Sequence, residues 1–165
     1  MIAEKFENML TVDPGDNTGW AFWNKATFPE VGQLVNTALS LPVEAQLPKM
    51  WDQFDLLLTT KKPAFVIMEG VEVYAGSLKS RTASQKRSGQ KIPSLFKLAF
   101  LIGGYCNVCD IHNIRFKIMN FSEWGGQMPP AAVNAQVKRI NGKEYKTQHI
   151  TDAVAMGFSI QGRIK

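Results

Sequence analysis

The sequence predicts an α/β domain whose mixed central sheet is flanked by helices. Three observations predict it. Short stretches of six or seven residues that read as strands recur at 8–13, 63–69 and 114–119, the second of them apolar nearly throughout and too short for a confident helix. Longer stretches between and after them carry apolar residues at helical spacing. The chain has 165 residues, 45% hydrophobic and 20% charged, which is one domain's worth of ordinary globular sequence and shows no internal repeat.

Residues 8–13 (NMLTVD) read as the first strand and 18–24 (TGWAFWN) as the second. Pro14 and Gly15 place a turn between them, because proline presets φ and glycine tolerates the sharp reversal. A third strand is expected around 26–36. Residues 43–60 form a helix on the spacing of Leu47, Met50, Trp51, Phe54, Leu57 and Leu58, with Pro48 expected to kink it or delay its start. Residues 63–69 (PAFVIME) are apolar nearly throughout and read as a strand buried on both faces. Residues 75–92 are rich in Ser, Lys and Gly, have no period, and read as a loop. An apolar helix follows from Pro93 to Val108, then a strand at 114–119 (IRFKIM). FSEWGGQM reads as a loop, PPAAVNAQVKRI as a helix entered through its prolines, and HITDAVAMGFSI as a last helix, apolar on most of its circumference and so packed on the sheet.

No apolar run approaches the roughly 20 residues of a membrane span. Met1–Leu10 carries Glu4 and Glu7 and lacks the basic-then-apolar pattern of a signal, so a soluble, cytoplasmic protein is expected. Charge is unevenly placed. Residues 1–72 hold 10 acids and 5 bases, whereas residues 73–165 hold 4 acids and 14 bases. Between Glu72 and Asp110 there is no acid, while Lys79, Arg81, Lys86, Arg87, Lys91 and Lys97 all fall there. Such a block suits a polyanion, since each base that meets a phosphate releases a condensed counterion. Cys106 and Cys109 form a C-x-x-C, but at the end of an apolar helix, where the dipole disfavours a thiolate. Buried, inert thiols are expected.

The chemistry-bearing residues are acids at element ends. Asp13 closes the first strand and Glu69 the fourth, with Glu72 a weaker candidate beyond it. His149 and Asp152 stand three apart at the start of the last helix and so share a face. Each alone has a plain structural explanation: a turn cap, a strand-end acid, a helix-end pair. Together they make an acidic cluster in a basic protein. Clustered carboxylates repel, and a divalent cation relieves the repulsion. Oxygen donors with one imidazole suit Mg²⁺, with Mn²⁺ able to substitute. Two such ions would activate a water and stabilise the leaving oxygen of a phosphoryl displacement.

LTVDPGDNTGWAFW, VIMEGVEVY and HITDAVAMG, in that order, resemble the three motifs of the RuvC family of Holliday junction resolvases. The resemblance spans nearly the whole chain. It implies an RNase H-like fold with a mixed five-stranded sheet in a single domain over residues 1–165. It implies Asp13, Glu69, His149 and Asp152 as catalytic metal ligands, with His149 where other members carry Asp or His. The implied activity is metal-dependent cleavage of branched DNA, chiefly four-way junctions. A phage-encoded resolvase is compatible with it. In that family the loop after the glutamate touches the junction. Here it carries Tyr74, Lys79, Arg81, Lys86, Arg87 and Lys91, with Tyr74 in the place of an aromatic used near the crossover. Asn120 and Asn134 stand where lysines are placed near the scissile phosphate. Lys138 and Arg139, or the amides of Gly125 and Gly126, are the candidates to replace them, and Lys143 and Lys146 extend the basic surface. Trp124 is a candidate to stack on a base, with packing in the core an equally good reading. The resemblance also implies a homodimer. Leu95, Phe96, Leu98, Ala99, Phe100, Leu101 and Ile102 exceed what one buried stripe requires, which marks their helix as the candidate interface.

Three other readings compete with this one. A sugar-kinase or actin-like ATPase shares the Asp-Gly turn but needs two such domains. The YqgF branch of the same fold, associated with RNA processing, lacks so long a basic loop. An inactive nucleic-acid-binding module would not need all four ligands.

Overall fold

The computed structural model describes residues 8–25, 27–71, 92–126 and 128–164. Among them the elements run β1 (Met9–Asp13), β2 (Asn17–Trp23), β3 (Glu30–Val35), α1 (Val43–Lys61), β4 (Phe65–Glu69), α2 (Ile92–Ile111), β5 (Arg115–Met119), α3 (Phe121–Trp124), α4 (Pro130–Asn141) and α5 (Gln148–Ile160). The five strands form one sheet in the order β3-β2-β1-β4-β5. β1 and β2 pair antiparallel, as do β2 and β3, while β1, β4 and β5 run parallel. The sheet is mixed because short turns join the first three strands, whereas a helix carries the chain between each later pair.

Strand alternation divides the core into two layers. Leu10, Val12, Val66 and Met68 face α1 and α2, where Phe54 stacks on Tyr105 at 4.2 Å between ring centroids. Met9, Ala21, Trp23 and Ile67 face α4 and α5. β1 is buried along its whole length, as expected of a central strand covered on both faces. The third strand is shorter than its expected span, and β3 forms one edge of the sheet with β5 at the other.

Pro48 lies inside α1, which nevertheless starts at Val43. The amide that Pro48 lacks is the one that would pair with Glu44, in the exposed first turn, where losing that bond costs little. FSEWGGQM departs from the expected loop. Its first four residues form α3, whose entry the Glu123 side chain caps by accepting from the Asn120 amide at 2.8 Å.

One polar residue ties the sheet to α5. The Thr11 hydroxyl donates to the Ala153 carbonyl at 2.7 Å and accepts from Trp23 Nε1 at 3.0 Å, all of it buried. Close approach does the rest. A Cβ at Gly19 would stand 2.2 Å from the backbone carbonyl of His149, and one at Gly157 would stand 2.1 Å from the Trp23 ring. Glycine at these two places lets α5 lie directly on β2.

Candidate active site

Asp13 is placed by β1, and the β1–β2 turn begins immediately after it. In the register, Val12 is level with Met68, so Asp13 and Glu69 are the next positions on two neighbouring parallel strands. Both belong to the strand phase of Phe65 and Ile67, which faces α5. Adjacent strands stand about 4.8 Å apart. The two carboxylates therefore leave the sheet side by side on the same face.

α5 supplies the other two residues. Thr147 caps it, its hydroxyl accepting from the Ile150 amide, and this fixes where the first turn begins. Thr11 and Gly19 then hold that turn over the end of β1. His149 Nδ1 lies 2.6 Å from Asp13 Oδ2. Asp13 is nearly buried, its side chain 12% exposed, while the imidazole is 41% exposed. Gly15 leaves room for the ring, since a Cβ there would come within 3.3 Å of His149 Cε1.

The electrostatics follow from crowding. Burial pushes the Asp13 carboxyl above the usual carboxylate range, partly countered by the hydrogen bond and charge of His149. The bond to Asp13 raises His149 above its ordinary value despite burial. Asp152 is pushed up to about 6, mainly by burial. The negative charge of Asp13 adds to the rise, and the Gln148 bond and His149 oppose it. These are the marks of acids held close together away from water.

Gln148 and Asn134 belong to the same neighbourhood. Their amides exchange two hydrogen bonds, of 3.0 and 3.1 Å, and Gln148 Nε2 donates to Asp152 Oδ1 at 2.8 Å. The Gln148–Asp152 pair has the i,i+4 spacing of a helix face, which the sequence alone displays. The link to Asn134 crosses between helices and carries no sequence signal. A second network braces the turn after Asp13. Lys97 Nζ bonds Asp16 Oδ1 and Gln46 Oε1, each at 2.5 Å, and Asn36 bridges the same two oxygens. Lys97 thus joins α2 to the turn, and its charge is already engaged there.

The donor chemistry fits a hard divalent cation: carboxylates at neighbouring strand ends, a third on α5, and one imidazole. As the side chains stand, no group of three or more His, Cys, Asp or Glu among the described residues is gathered closely enough to hold a metal ion. The structure brings Asp13, His149 and Asp152 into mutual electrostatic contact. It puts Glu69 beside them on the strand register.

Of the expected DNA-contacting residues, Tyr74, Lys79, Arg81, Lys86, Arg87 and Lys91 lie outside the described residues, as does Glu72. Lys138, Arg139, Lys143 and Lys146 are exposed on α4 and the segment after it. Trp124 is a correction. It is 3% exposed, edge-on to Phe121 at 4.8 Å in the core beneath α5, and cannot stack on a base. Of the two readings the sequence allowed, core packing holds: the hydrophobic area of an indole drives it inward once α3 forms. The Gly125 amide closes α3 on the Phe121 carbonyl and is not available to a phosphate. The thiols are free, with Cys109 buried and pushed up to about 12 by that burial and by Cys106 and Asp110, as inert cysteines should be.

Solved structures show what this arrangement resembles. RuvC of Thermus thermophilus superposes with a TM-score of 0.62 at 15% identity, over 94% of this chain and 95% of that one. The fold is that of the RuvC-type resolvases. The T. thermophilus RuvC solved with a Holliday junction substrate gives a TM-score of 0.67 at 14% identity, covering 94% of each chain. The yeast mitochondrial Holliday junction resolvase Ydc2 gives 0.56 at 14% identity, over 98% of this chain and 83% of that one. No protein-family model matches the chain, and neither does the sequence of any curated protein. Among the described residues, no helix of this RuvC-like domain is long and apolar enough to cross a membrane.

Proposed function

We propose that the chain is a metal-dependent endonuclease that cleaves four-way DNA junctions, and related branched DNA, by phosphodiester hydrolysis. The observation that carries this reading is the meeting of Asp13, His149 and Asp152 at the end of the central strands of a RuvC-like fold, with Glu69 on the adjoining strand. Three carboxylates on one face of a basic protein are unfavourable unless a cation offsets them. Asp13, Glu69, His149 and Asp152 are the residues that would hold Mg²⁺ or Mn²⁺, two ions in the reading favoured by the phosphoryl chemistry. Bound there, the ions would supply an activated water and charge stabilisation at the leaving oxygen.

The chain's own residues do the remaining work. Gln148 holds the Asp152 carboxylate in one orientation, and Thr11 and Gly19 set the depth of α5 over the strand ends. The basic segment from Lys79 to Lys91 and the exposed Lys138, Arg139, Lys143 and Lys146 would draw in the phosphate backbone. Resolution of a junction needs two matched cuts, and one domain holds one acidic cluster, so the working unit is a homodimer. α2 supports this reading. Leu101 and Ile102 are buried in the chain's own core, but Phe96 and Phe100 are 62% and 63% exposed on the opposite face.

The test is cleavage of labelled four-way junction, flap and plain duplex with Mg²⁺ or Mn²⁺, alongside sedimentation at micromolar protein. Metal-dependent paired nicks in the junction and a particle about twice the 18.4 kDa chain mass are expected. Preference for structured RNA, or binding to the junction without cleavage, would defeat the reading.

A further inference from the structure

A cavity of about 540 Å³ opens between α4, α5 and the segment that joins them. Its walls differ in chemistry. Ala135 and Val137 make an apolar floor. Tyr145 presents a half-buried ring, held by a hydrogen bond between its hydroxyl and Asn141 and overlain by Lys143 Nζ at 5.5 Å from the centroid. Lys138 stands opposite, paired with Glu144 at 2.7 Å, and both side chains are well exposed, at 60% and 71%. Thr151, the residue before Asp152, closes the inner end. Asn134 forms the lip and is joined through Gln148 to the Asp152 carboxylate.

An aromatic face, two ammonium groups and an amide at one opening match a single chemical species. Aromatic rings stack on nucleobases whatever their sequence. Ammonium groups take phosphate oxygens, and amides pair with base edges. The volume falls in the range of small-ligand pockets and is far below what a duplex would require. Exposed ion pairs contribute little, so Lys138 can exchange Glu144 for a phosphate at small cost. The cavity's lip also lies two hydrogen bonds from a carboxylate of the candidate active site.

We propose that this cavity is a subsite for one unstacked nucleotide of the DNA strand being cut, its base against Tyr145 and its phosphate on Lys138 and Lys143. The assignment of the strand as the one being cut rests on the endonuclease reading above. At a branch point the nucleotides beside the crossover are the least firmly stacked, so extracting one costs least there.

The test is an NMR titration of the full chain, isotopically labelled, with 5′-phosphorylated dithymidylate as probe and inorganic phosphate as control. The dinucleotide is expected to shift the amide signals of Asn134, Ala135, Tyr145 and Thr151 saturably. Phosphate at equal concentration is expected to leave Tyr145 and Ala135 unmoved. Ala135→Leu fills the floor from an exposed helix position that tolerates leucine, and should weaken binding at least about fivefold, the low end of what one base stack is worth. Tyr145→Leu should do the same, while Tyr145→Phe keeps the ring and the affinity. Signals that do not move, shifts reproduced in full by phosphate, or wild-type affinity in a folded Ala135→Leu protein would each overturn the subsite. Junction cleavage by the same preparations separates the two claims. Dinucleotide binding without cleavage strikes the endonuclease reading alone, and cleavage without dinucleotide binding strikes the subsite alone.

Discussion

Two effects push the Asp152 carboxyl the same way: burial, and the negative charge of Asp13 nearby. A residue so placed is costly for the fold and useful for holding a cation. Asp152→Asn is therefore expected to abolish junction cleavage while junction binding stays intact or tightens, because the variant gives up a ligand charge and keeps every base. Wild-type cleavage by the asparagine variant, measured on a labelled junction, would remove Asp152 from the site. The same crowding has a sign in pH. In chelated protein Asp13, Asp152 and His149 all have raised proton affinity, so the native state binds more protons than the unfolded chain between the two pKa values, and stability falls as pH rises. The part due to Asp152 is whole below 3.8 and is lost as pH climbs through about 6. The part due to His149 is present below 6.5 and is lost as pH climbs through its raised value. Asp16 acts in the opposite sense: burial is outweighed by Lys97 and Asn36, so its value falls below 3.8, and its effect is complete above that pH. The thermal midpoint of metal-free protein should thus decline as pH rises from 3.8 through about 6 and go on declining above 6.5. Asp152→Asn should flatten the lower part of that decline. A midpoint that climbs across this interval would contradict the shifts.

At the level of elements, the glycines that let α5 touch β2 are the most exacting positions. Gly19→Ala would drive a methyl into the His149 carbonyl carbon and oxygen, both backbone atoms that cannot rotate aside. It should cost about 1–3 kcal/mol in denaturant unfolding. It should also lower cleavage by displacing His149 and Asp152 together. Full stability in that variant would mean α5 rides higher than described. These same elements show what the sequence could and could not tell. The strand at 63–69 announced itself by a short apolar run, those at 8–13 and 114–119 by short strand-like stretches, and α5 by its apolar circumference. Asp13, Glu69 and the His149–Asp152 pair each have a plain structural explanation alone, and they stood out in the sequence only as a set at element ends, which the fold places near one another. The depth at which α5 sits was not legible, because it depends on Gly19 and Gly157 meeting residues more than a hundred positions away. Nor was the part played by Lys97, and for Trp124 the sequence left core packing and base stacking both open. A lysine in a basic block looks exposed until tertiary packing gives it partners, and burial decides Trp124.

Over the whole molecule, charge separates into an acidic first part and a basic second part, and the bases lie in sequence between and around the site acids. Replacing Lys86, Arg87 and Lys91 together with neutral residues should weaken junction binding. It should also reduce the slope of log affinity against log salt by roughly 0.9 for each phosphate that the variant no longer neutralises. Folding stability should change little, since charges in a stretch whose sequence reads as a loop contribute little to it. An unchanged salt slope would take these residues off the backbone.

Lys97 has a consequence in time. It follows Phe96 directly on α2 and precedes Phe100 by less than a turn, while its ammonium grips Asp16, three residues beyond Asp13. A helix moves as a rod, so in the proposed homodimer a second subunit seated on the two phenylalanines would steady the hand that holds the turn after Asp13. On the proposed reading of a paired endonuclease, assembly would then come before full activity. Progress curves on a junction should open with a lag that shortens as enzyme concentration rises. Lys97→Met should keep the pairing and lose much of the rate. Curves of one shape at every concentration would show the turn to be indifferent to the neighbour on α2.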